Sequence, residues 1–258
     1  MSVAVADPLL LVHGFAQTPR SWQTVIDVLP AGRDLHAIEL PGHGATALTL
    51  GPPSVESARA AMFAALDQIA ADRVVVWGYS QGARVALDAV LFAPARFSAM
   101  ILESGTAGID DPLARADRRS RDVALASRIE AAPIEDFLDL WERIPALGEQ
   151  SRALIESQRA DRLAHDPVAL AAALRGIGQS AYEPMWDRLG EIAVPTLLIS
   201  GERDRVYGAT AERMCSAIAG ATHVAIAGAG HSVHLERPVE TVAAVRAFLE
   251  AGISPKTG

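Results

Sequence analysis

The chain has 258 residues, half of them hydrophobic, which is enough for one large domain with a substantial buried core. Its net charge of −8 argues against a nucleic-acid-binding protein. The single cysteine, Cys215, excludes an internal disulfide, and the absence of a long apolar run or a signal-peptide pattern predicts a cytoplasmic protein without a membrane span.

Apolar strands alternate with helical segments in both halves of the chain. Strands are predicted over residues 9–12, 35–40, 74–77, 98–103, 194–201 and 222–226. Helices are predicted over residues 21–29, 54–71, 210–219 and 233–250, and a further helix follows the third strand and ends near residue 92. Such an alternation of apolar strands and helices predicts the α/β class, with a mostly parallel central sheet flanked by helices on both faces.

The alternation is interrupted between residues 104 and 190, where no strand is predicted. Helices are predicted there over residues 111–131, 134–141, 149–164 and 167–174, and this segment carries 11 of the 22 arginines. Because sheets of this kind bind ligands beyond the carboxyl ends of their strands, the segment is predicted to be a helical lid. The predicted domains are therefore a core, residues 1–103 and 191–258, and a lid, residues 104–190, inserted after the strand that ends at Glu103.

The pentapeptide Gly78-Tyr79-Ser80-Gln81-Gly82 has the G-x-S-x-G pattern of a nucleophile elbow. The two glycines allow the strand and the helix to approach each other closely. The turn would lift the Ser80 hydroxyl towards the free N–H groups at the start of the helix. A lone pentapeptide is weak evidence in a glycine-rich chain, so the prediction depends on the apolar strand before it and the helix after it.

A serine that acts as nucleophile or base needs a histidine and an acid. Asp204 and His231 each follow a predicted strand, at the same sheet edge as Ser80, so the three can converge into a catalytic triad. Taken singly, Asp204 reads as a turn former and His231 as a solvated loop residue; only the combination favours the triad. The alternative acids are Glu202 and Glu236, and the less well placed histidines are His165, His223 and His234.

The tripeptide His13-Gly14-Phe15 follows the first strand. The backbone N–H groups of Phe15 and Gln81 are predicted to form an oxyanion hole. His13 itself is predicted to be structural and to hold the neighbouring backbone.

Five stretches of the chain together resemble the α/β-hydrolase superfamily. They are residues 13–15, 40–44, 78–82, 201–204 and 229–231. The resemblance covers nearly the whole chain, and it implies the α/β-hydrolase fold. Two departures are visible, since Gln81 and Ala83 stand where the family usually has an apolar residue and a glycine, and the short N-terminal segment predicts fewer strands.

A narrower resemblance is to the MenH-type enzymes of menaquinone biosynthesis, the 2-succinyl-6-hydroxy-2,4-cyclohexadiene-1-carboxylate synthases. It is carried by Gly78 to Gly82 with Arg84, by residues 102–105, by the arginines of residues 115–119, by Trp141 and by residues 162–167. The resemblance implies a lyase that expels pyruvate from an enolpyruvyl ether, with the serine, histidine and aspartate acting as a base. It implies no acyl-enzyme.

A polycarboxylate substrate needs fixed cations, and Arg84 lies one helical turn beyond Ser80, towards the same end of the pocket. The resemblance adds further substrate-binding residues: Tyr79, Glu103, Arg118, Trp141 and Arg162. Alternatively, the arginines near residue 118 form a solvated helix face with interleaved acids, and Trp141 belongs to the lid core. No metal or organic cofactor is expected, because no ligand cluster or phosphate loop is present.

Two other functions use the same sequence features. A carboxylesterase or lactonase would employ the triad through an acyl-enzyme and would have a mainly apolar pocket with its arginines facing solvent. A non-catalytic ligand receptor would have no need to retain all three triad residues. The sequence does not determine the oligomeric state.

Overall fold

A computed structural model describes residues 6–44, 51–144, 147 and 150–252 of the chain. Its strands are β1 (Leu9–Val12), β2 (Leu35–Ile38), β3 (Val74–Tyr79), β4 (Phe97–Glu103), β5 (Thr196–Gly201) and β6 (Thr222–Ile226). They form one sheet in the order β2-β1-β3-β4-β5-β6, and each neighbouring pair is parallel. The predicted fold class, a parallel sheet flanked by helices, is confirmed.

Ten α-helices connect the strands in the described parts of the chain. They are α1 (Gln23–Ile26), α2 (Val55–Gln68), α3 (Gln81–Phe92), α4 (Pro112–Ala131), α5 (Ile134–Trp141), α6 (Arg152–Leu163), α7 (Pro167–Ile177), α8 (Arg205–Ala217), α9 (Val233–Glu236) and α10 (Pro238–Gly252). Short 3-10 helices lie at Pro19–Trp22, Pro94–Arg96, Gln179–Ala181 and Trp186–Glu191. None of the described helices is long and apolar enough to cross a bilayer.

The sheet separates two hydrophobic cores because successive side chains of a strand point to opposite faces. In β1, Leu10 and Val12 pack on the face covered by α2, α3 and α8, whereas Leu9 and Leu11 pack on the face covered by α1, α9 and α10. All four are fully buried. Burial on both faces explains why the strands are apolar throughout rather than alternating with polar residues.

Helices α4 to α7 form an insertion between β4 and β5, and we call residues 104–190 the helical insertion. It has a small core of its own, in which Ala126 and Phe137 pack with Leu170. Ala16 belongs to the same core, and Phe15 packs against it. The helical insertion therefore lies against the loop that follows β1.

Three predicted elements differ from the structure. Helix α8 begins at Arg205 rather than residue 210, because the Asp204 side chain accepts a hydrogen bond from the backbone N–H of Tyr207 at 3.2 Å and caps the helix. The final helix is divided at Arg237, where Pro238 starts a second helix. Helix α6 begins at Arg152 after the cap Ser151, and the predicted first residue, Glu149, lies outside the described residues.

The order of the strands reverses at β1, because β2 lies on one side of it and β3 on the other. Ligands of open α/β sheets bind at such a switch point, beyond the carboxyl ends of the strands. Phe15 follows β1 and Ser80 follows β3, so both predicted residues lie at this point.

Candidate active site

Ser80 lies on a strained turn between β3 and α3. Its backbone has φ of 51° and ψ of −104°, in the left-handed half of conformational space that residues with a side chain rarely adopt. The turn leaves no room for side chains at the flanking glycines. A Cβ atom on Gly78 would lie 2.3 Å from the carbonyl oxygen of Gly82, and one on Gly82 would lie 2.1 Å from that of Val12. The strand and helix therefore close tightly enough to hold Ser80 at the edge of the sheet.

The structure brings Ser80, His231 and Asp204 together. Atom Nδ1 of His231 lies 2.6 Å from Oδ2 of Asp204, and Nε2 of His231 lies 3.1 Å from the Ser80 hydroxyl oxygen. Because a carboxylate only accepts hydrogen bonds, Nδ1 carries the proton and Nε2 is left to accept from Ser80. This arrangement can withdraw a proton from the serine hydroxyl and stabilise the resulting imidazolium.

The alternative acids and histidines are engaged elsewhere. Glu202 accepts from the backbone N–H of Gly228 at 2.8 Å, and Glu236 accepts from that of Gly230 at 2.8 Å. His223 bonds to Ser200, His165 to the backbone oxygen of Gln17, and His234 to Glu103. Among the candidate acids and histidines, His231 bonds to Ser80 and Asp204 bonds to His231.

Two backbone amides belong to residues that line the cavity together with Ser80. Gln81 is the first residue of α3, so its N–H has no partner within the helix. In the described parts of the chain, the amide of Phe15 has no hydrogen-bond partner either. Both residues line the same cavity as Ser80, which is the arrangement that an oxyanion hole requires.

His13 supports the loop that carries Phe15. Its Nε2 accepts from the backbone N–H of Leu40 at 3.0 Å, so its Nδ1 carries the proton and donates to the carbonyl oxygen of Gly14 at 2.8 Å. Burial lowers the pKa of His13 to about 4, which keeps it neutral at physiological pH. Its environment is that of a structural residue.

A cavity of about 240 Å³ lies between the sheet edge and the helical insertion. Its walls contain two of the three triad residues, Ser80 and His231, both amide-bearing residues, and four polar residues of the insertion. The lining residues are Phe15, Gln17, Tyr79, Ser80, Gln81, Arg84, Arg118, Asp122, Leu125, Trp141, Ile144, Leu147, Arg162, Leu174, Gly178, Gln179, Tyr207 and His231.

Arg84 is a buried cation to which no carboxylate is bonded among the described residues. Its side chain is 5% exposed, and its one hydrogen bond in the described parts of the chain is a long one of 3.5 Å to the backbone oxygen of Ser80. Its Nε atom is buried and has no partner there either. Burial lowers the pKa of Arg84, and this effect outweighs the opposing influence of Tyr207 and Tyr182. An anion in the cavity would relieve this unfavourable state.

Two of the arginines of the helical insertion, Arg118 and Arg162, also line the cavity, but both are already paired. Arg118 donates to Asp122 at 2.7 Å, within α4. Arg162 donates to Glu142 at 3.2 Å, and its Nε is buried without a partner among the described residues. Burial lowers the pKa of Arg162, whereas the Glu142 carboxylate raises it. Each of these two arginines is therefore salt-bridged and also lines the cavity.

Tyr79 and Trp141 line the cavity as predicted, and Trp141 also belongs to the core of the insertion, with its ring 5.3 Å from that of Phe15. Glu103 requires a correction, because it does not line the cavity. Its carboxylate is fully buried behind Tyr79, where it accepts from the indole N–H of Trp77 at 3.1 Å and from Nδ1 of His234 at 2.7 Å. Every polar atom of that carboxylate has a protein partner, so it cannot serve a ligand.

Sequence reasoning missed Gln17 and Tyr207. Gln17 lies in the loop after β1, where its side-chain oxygen accepts from the backbone N–H of Gly14 at 3.1 Å. Tyr207 lies in the first turn of α8, and its ring is 4.5 Å from that of His231. Tyr207 lies three residues after Asp204, which is the spacing between a helix cap and the residue whose backbone N–H it accepts from. Recognition of Asp204 as a cap was the one signal that could have identified Tyr207.

A model of the alpha/beta hydrolase family matches residues 9–245. A Bacillus subtilis (strain 168) protein named putative 2-succinyl-6-hydroxy-2,4-cyclohexadiene-1-carboxylate synthase is 33% identical over 238 residues, which cover 90% of this chain and 86% of that protein. The resemblance to the alpha/beta hydrolases, inferred from five short stretches, is confirmed.

Two solved structures are similar over nearly the whole chain. MenH from S. aureus has a TM-score of 0.92 and 29% identity, with 98% of this chain and 97% of that chain covered. A thermophilic esterase from Thermogutta terrifontis, solved with malate bound, has a TM-score of 0.80 and 25% identity, with 97% and 92% covered. The narrower resemblance to MenH-type enzymes is also confirmed.

Proposed function

The chain belongs to the alpha/beta hydrolase family, and within it we propose that this protein is a lyase of menaquinone biosynthesis. Its substrate is 2-succinyl-5-enolpyruvyl-6-hydroxy-3-cyclohexene-1-carboxylate, from which it eliminates pyruvate. The names of its relatives support the pathway. The residues that line the cavity support the reaction.

The observation that carries the proposal is the unpaired Arg84. A buried guanidinium without a carboxylate partner is costly, and the helix that carries it also forms the oxyanion-hole side of the site. An ester with an apolar acyl group gives it no counter-charge. A substrate with several carboxylates does, and Arg118 and Arg162 on the opposite wall offer further donors.

The reaction follows from the difference between substrate and product. The ring proton beside the succinyl ketone is removed, and the negative charge that develops is delocalised on to the ketone oxygen. The electrons left on ring carbon 2 form a C2–C3 double bond, those of the existing C3–C4 double bond shift to C4–C5, and the bond from carbon 5 to the enolpyruvyl oxygen breaks. The leaving enolate of pyruvate then gains a proton at its methylene carbon, so that atoms and charge balance.

Each chemical task has a candidate group in the cavity. The Ser80 oxygen takes the ring proton while His231 accepts the serine proton at Nε2, and Asp204 stabilises the imidazolium. The amides of Phe15 and Gln81 stabilise the charge on the ketone oxygen. No bond between Ser80 and the substrate is needed. In this proposal the helical insertion acts as a lid that contributes Arg118, Trp141 and Arg162.

The purified protein tests this directly by release of pyruvate from the enolpyruvyl substrate, measured with a coupled lactate dehydrogenase assay. Ser80→Ala is expected to lower kcat by about 10³-fold or more, because the base is lost. Ser216→Ala is the matched control, because Ser216 does not line the cavity and its hydroxyl donates to the backbone oxygen of Glu212. A Ser80→Ala variant with full activity would overturn the proposal.

The second candidate is an esterase or lactonase, which the same Ser80–His231 contact and the structural similarity to the Thermogutta terrifontis esterase favour. This activity proceeds through an acyl-enzyme on Ser80. Rapid hydrolysis of a short-chain nitrophenyl ester without any pyruvate release would select it over the lyase.

A further inference from the structure

The imidazole of His231 lies near two tyrosine rings. The ring centroid of Tyr79 is 5.5 Å from that of His231, and the ring centroid of Tyr207 is 4.5 Å from it. Both rings line the cavity. The two tyrosines therefore pack near the same imidazole and differ in the environment of their hydroxyl groups.

The hydroxyl groups of these tyrosines have different environments. That of Tyr79 is 2.8 Å from the hydroxyl of Ser232, which satisfies it inside the protein. That of Tyr207 has no hydrogen-bond partner among the residues that the structure describes, and the side chain is half-buried. Among the described residues, the Tyr207 hydroxyl is thus left free to donate, whereas that of Tyr79 is engaged with Ser232.

The backbone holds Tyr207 in a fixed position relative to the triad. Its N–H donates to Oδ1 of Asp204 at 3.2 Å, while Oδ2 of the same carboxylate accepts from His231 at 2.6 Å. One carboxylate therefore fixes both the imidazole and the first turn of α8. A hydroxyl on such a support is positioned at little entropic cost.

A buried cation, Arg84, lines the same cavity as Tyr207. Ionisation of the Tyr207 phenol would raise the pKa of Arg84, as would that of Tyr182. Arg84 and Tyr207 line the same cavity, and neither has an acidic partner in the described parts of the chain. A guanidinium and a phenol are both donors, and a carboxylate can accept from both at once.

We propose that Tyr207 is a substrate-binding residue whose hydroxyl forms, with Arg84, one subsite for a carboxylate of the substrate beside His231. This inference rests on the proposed function, since it deepens the account of the same cavity. The subsite gives one substrate carboxylate, either on the leaving pyruvate or on the remaining ring product, a fixed position relative to the base. It also gives a role to a half-buried phenol that has no hydroxyl partner among the described residues and lines the same cavity as Arg84.

The test compares Tyr207→Phe with Tyr182→Phe in the full-length protein. Both changes remove one hydroxyl near Arg84, but Tyr182 is buried outside the cavity, and its hydroxyl has no partner among the described residues. For Tyr207→Phe we expect KM for the enolpyruvyl substrate to rise about tenfold with kcat within about twofold, as for loss of a hydrogen bond to a charged group. For Tyr182→Phe we expect both constants to be unchanged.

A double-variant measurement separates a shared subsite from a general structural effect. In an Arg84→Met background, the effect of Tyr207→Phe on KM is expected to shrink from about tenfold to less than about threefold, because both groups bind the same carboxylate. Unchanged KM in Tyr207→Phe, or fully independent effects in the double variant, would overturn the inference.

Binding of propane-1,2,3-tricarboxylate, measured by calorimetry, distinguishes failure of this inference from failure of the proposed reaction. Weaker binding in Tyr207→Phe but not in Tyr182→Phe supports the subsite even if no pyruvate is released. Pyruvate release with equal tricarboxylate binding in both variants overturns the subsite alone. A wild-type protein that neither releases pyruvate nor binds the tricarboxylate overturns both proposals.

Discussion

The hydroxyl of Ser104 donates a 2.7 Å hydrogen bond to the backbone oxygen of His231, although the two residues are far apart in the chain. Ser104 directly follows β4, and its backbone has φ of 47°. The preceding residue, Glu103, accepts from the backbone N–H of Ser80 at 2.8 Å. The carboxyl end of β4 therefore fixes the positions of both Ser80 and His231.

Loss of this hydroxyl is expected to misplace His231. We expect Ser104→Ala and Ser104→Gly to lower kcat about tenfold to a hundredfold, with little change in KM. Glycine also relieves the positive φ, so Ser104→Gly should be more stable than Ser104→Ala by about 1 kcal/mol. Steady-state kinetics and urea unfolding of the two variants measure both effects. Wild-type kcat in the glycine variant would rule out a positioning role.

Asp204→Asn is expected to lower kcat about 10³- to 10⁴-fold while the protein stays folded. The amide oxygen can still cap α8, but an N–H group facing Nδ1 favours the tautomer in which Nε2 carries the proton. His231 then cannot accept from Ser80. Pyruvate release and circular dichroism check this. Glu202→Gln, which changes an acid bonded only to Gly228 among the described residues, should retain wild-type kcat.

Arg84→Met is expected to stabilise the free protein by about 1–3 kcal/mol, because an unpaired buried cation is replaced by an apolar side chain. The same change should raise KM. Urea unfolding and kinetics measure the two effects. Arg59→Met is the matched control, since Arg59 pairs with Asp88 at 2.6 Å and its loss should destabilise the protein. Lower stability in Arg84→Met would contradict the assignment of Arg84 as an unpaired cation.

Gly82→Ala is expected to abolish recovery of folded protein. The added Cβ would lie 2.1 Å from the backbone oxygen of Val12, and neither backbone can move without opening the sheet. Gly190→Ala is the control, because a Cβ there meets nothing within 4 Å. Expression and thermal unfolding of the two variants are the measurements. A folded Gly82→Ala protein would show that the elbow is less tightly packed than the structure indicates.

The buried His13 is expected to make the protein less stable in acid. Its pKa in the folded protein is about 4, below the ordinary value of 6.5, so the unfolded chain binds a proton first as the pH falls. Stability attributable to His13 is therefore complete above pH 6.5 and declines towards pH 4, by about 3 kcal/mol in total. The lowered pKa of His43 acts in the same direction.

Urea unfolding between pH 7.5 and 4.5 measures this loss. His13→Gln removes the titrating group and leaves an amide oxygen that can accept from the Leu40 N–H in place of Nε2. The dependence of the unfolding free energy on pH should be shallower in this variant. An identical pH dependence in both proteins would contradict a lowered pKa at His13.

The sequence by itself determined the sheet, the elbow and the identity of the residues that meet at Ser80. Strand periodicity, the two glycines around the serine and the position of Asp204 and His231 after strands are local properties, and parallel strands bring their carboxyl ends to one edge. Helix boundaries that depend on a cap or a proline, as at Asp204 and Pro238, were less well predicted because one side chain decides them.

Only the tertiary structure decided which polar residues face the cavity. Arg84 and Arg118 are both arginines on helices, but the first is unpaired and the second is bonded to Asp122. Glu103 was predicted in the pocket and lies instead against His234, while Tyr207 was not predicted and lines the wall. Long-range packing sets these environments, because the partner that neutralises a side chain or leaves it free comes from a distant part of the chain.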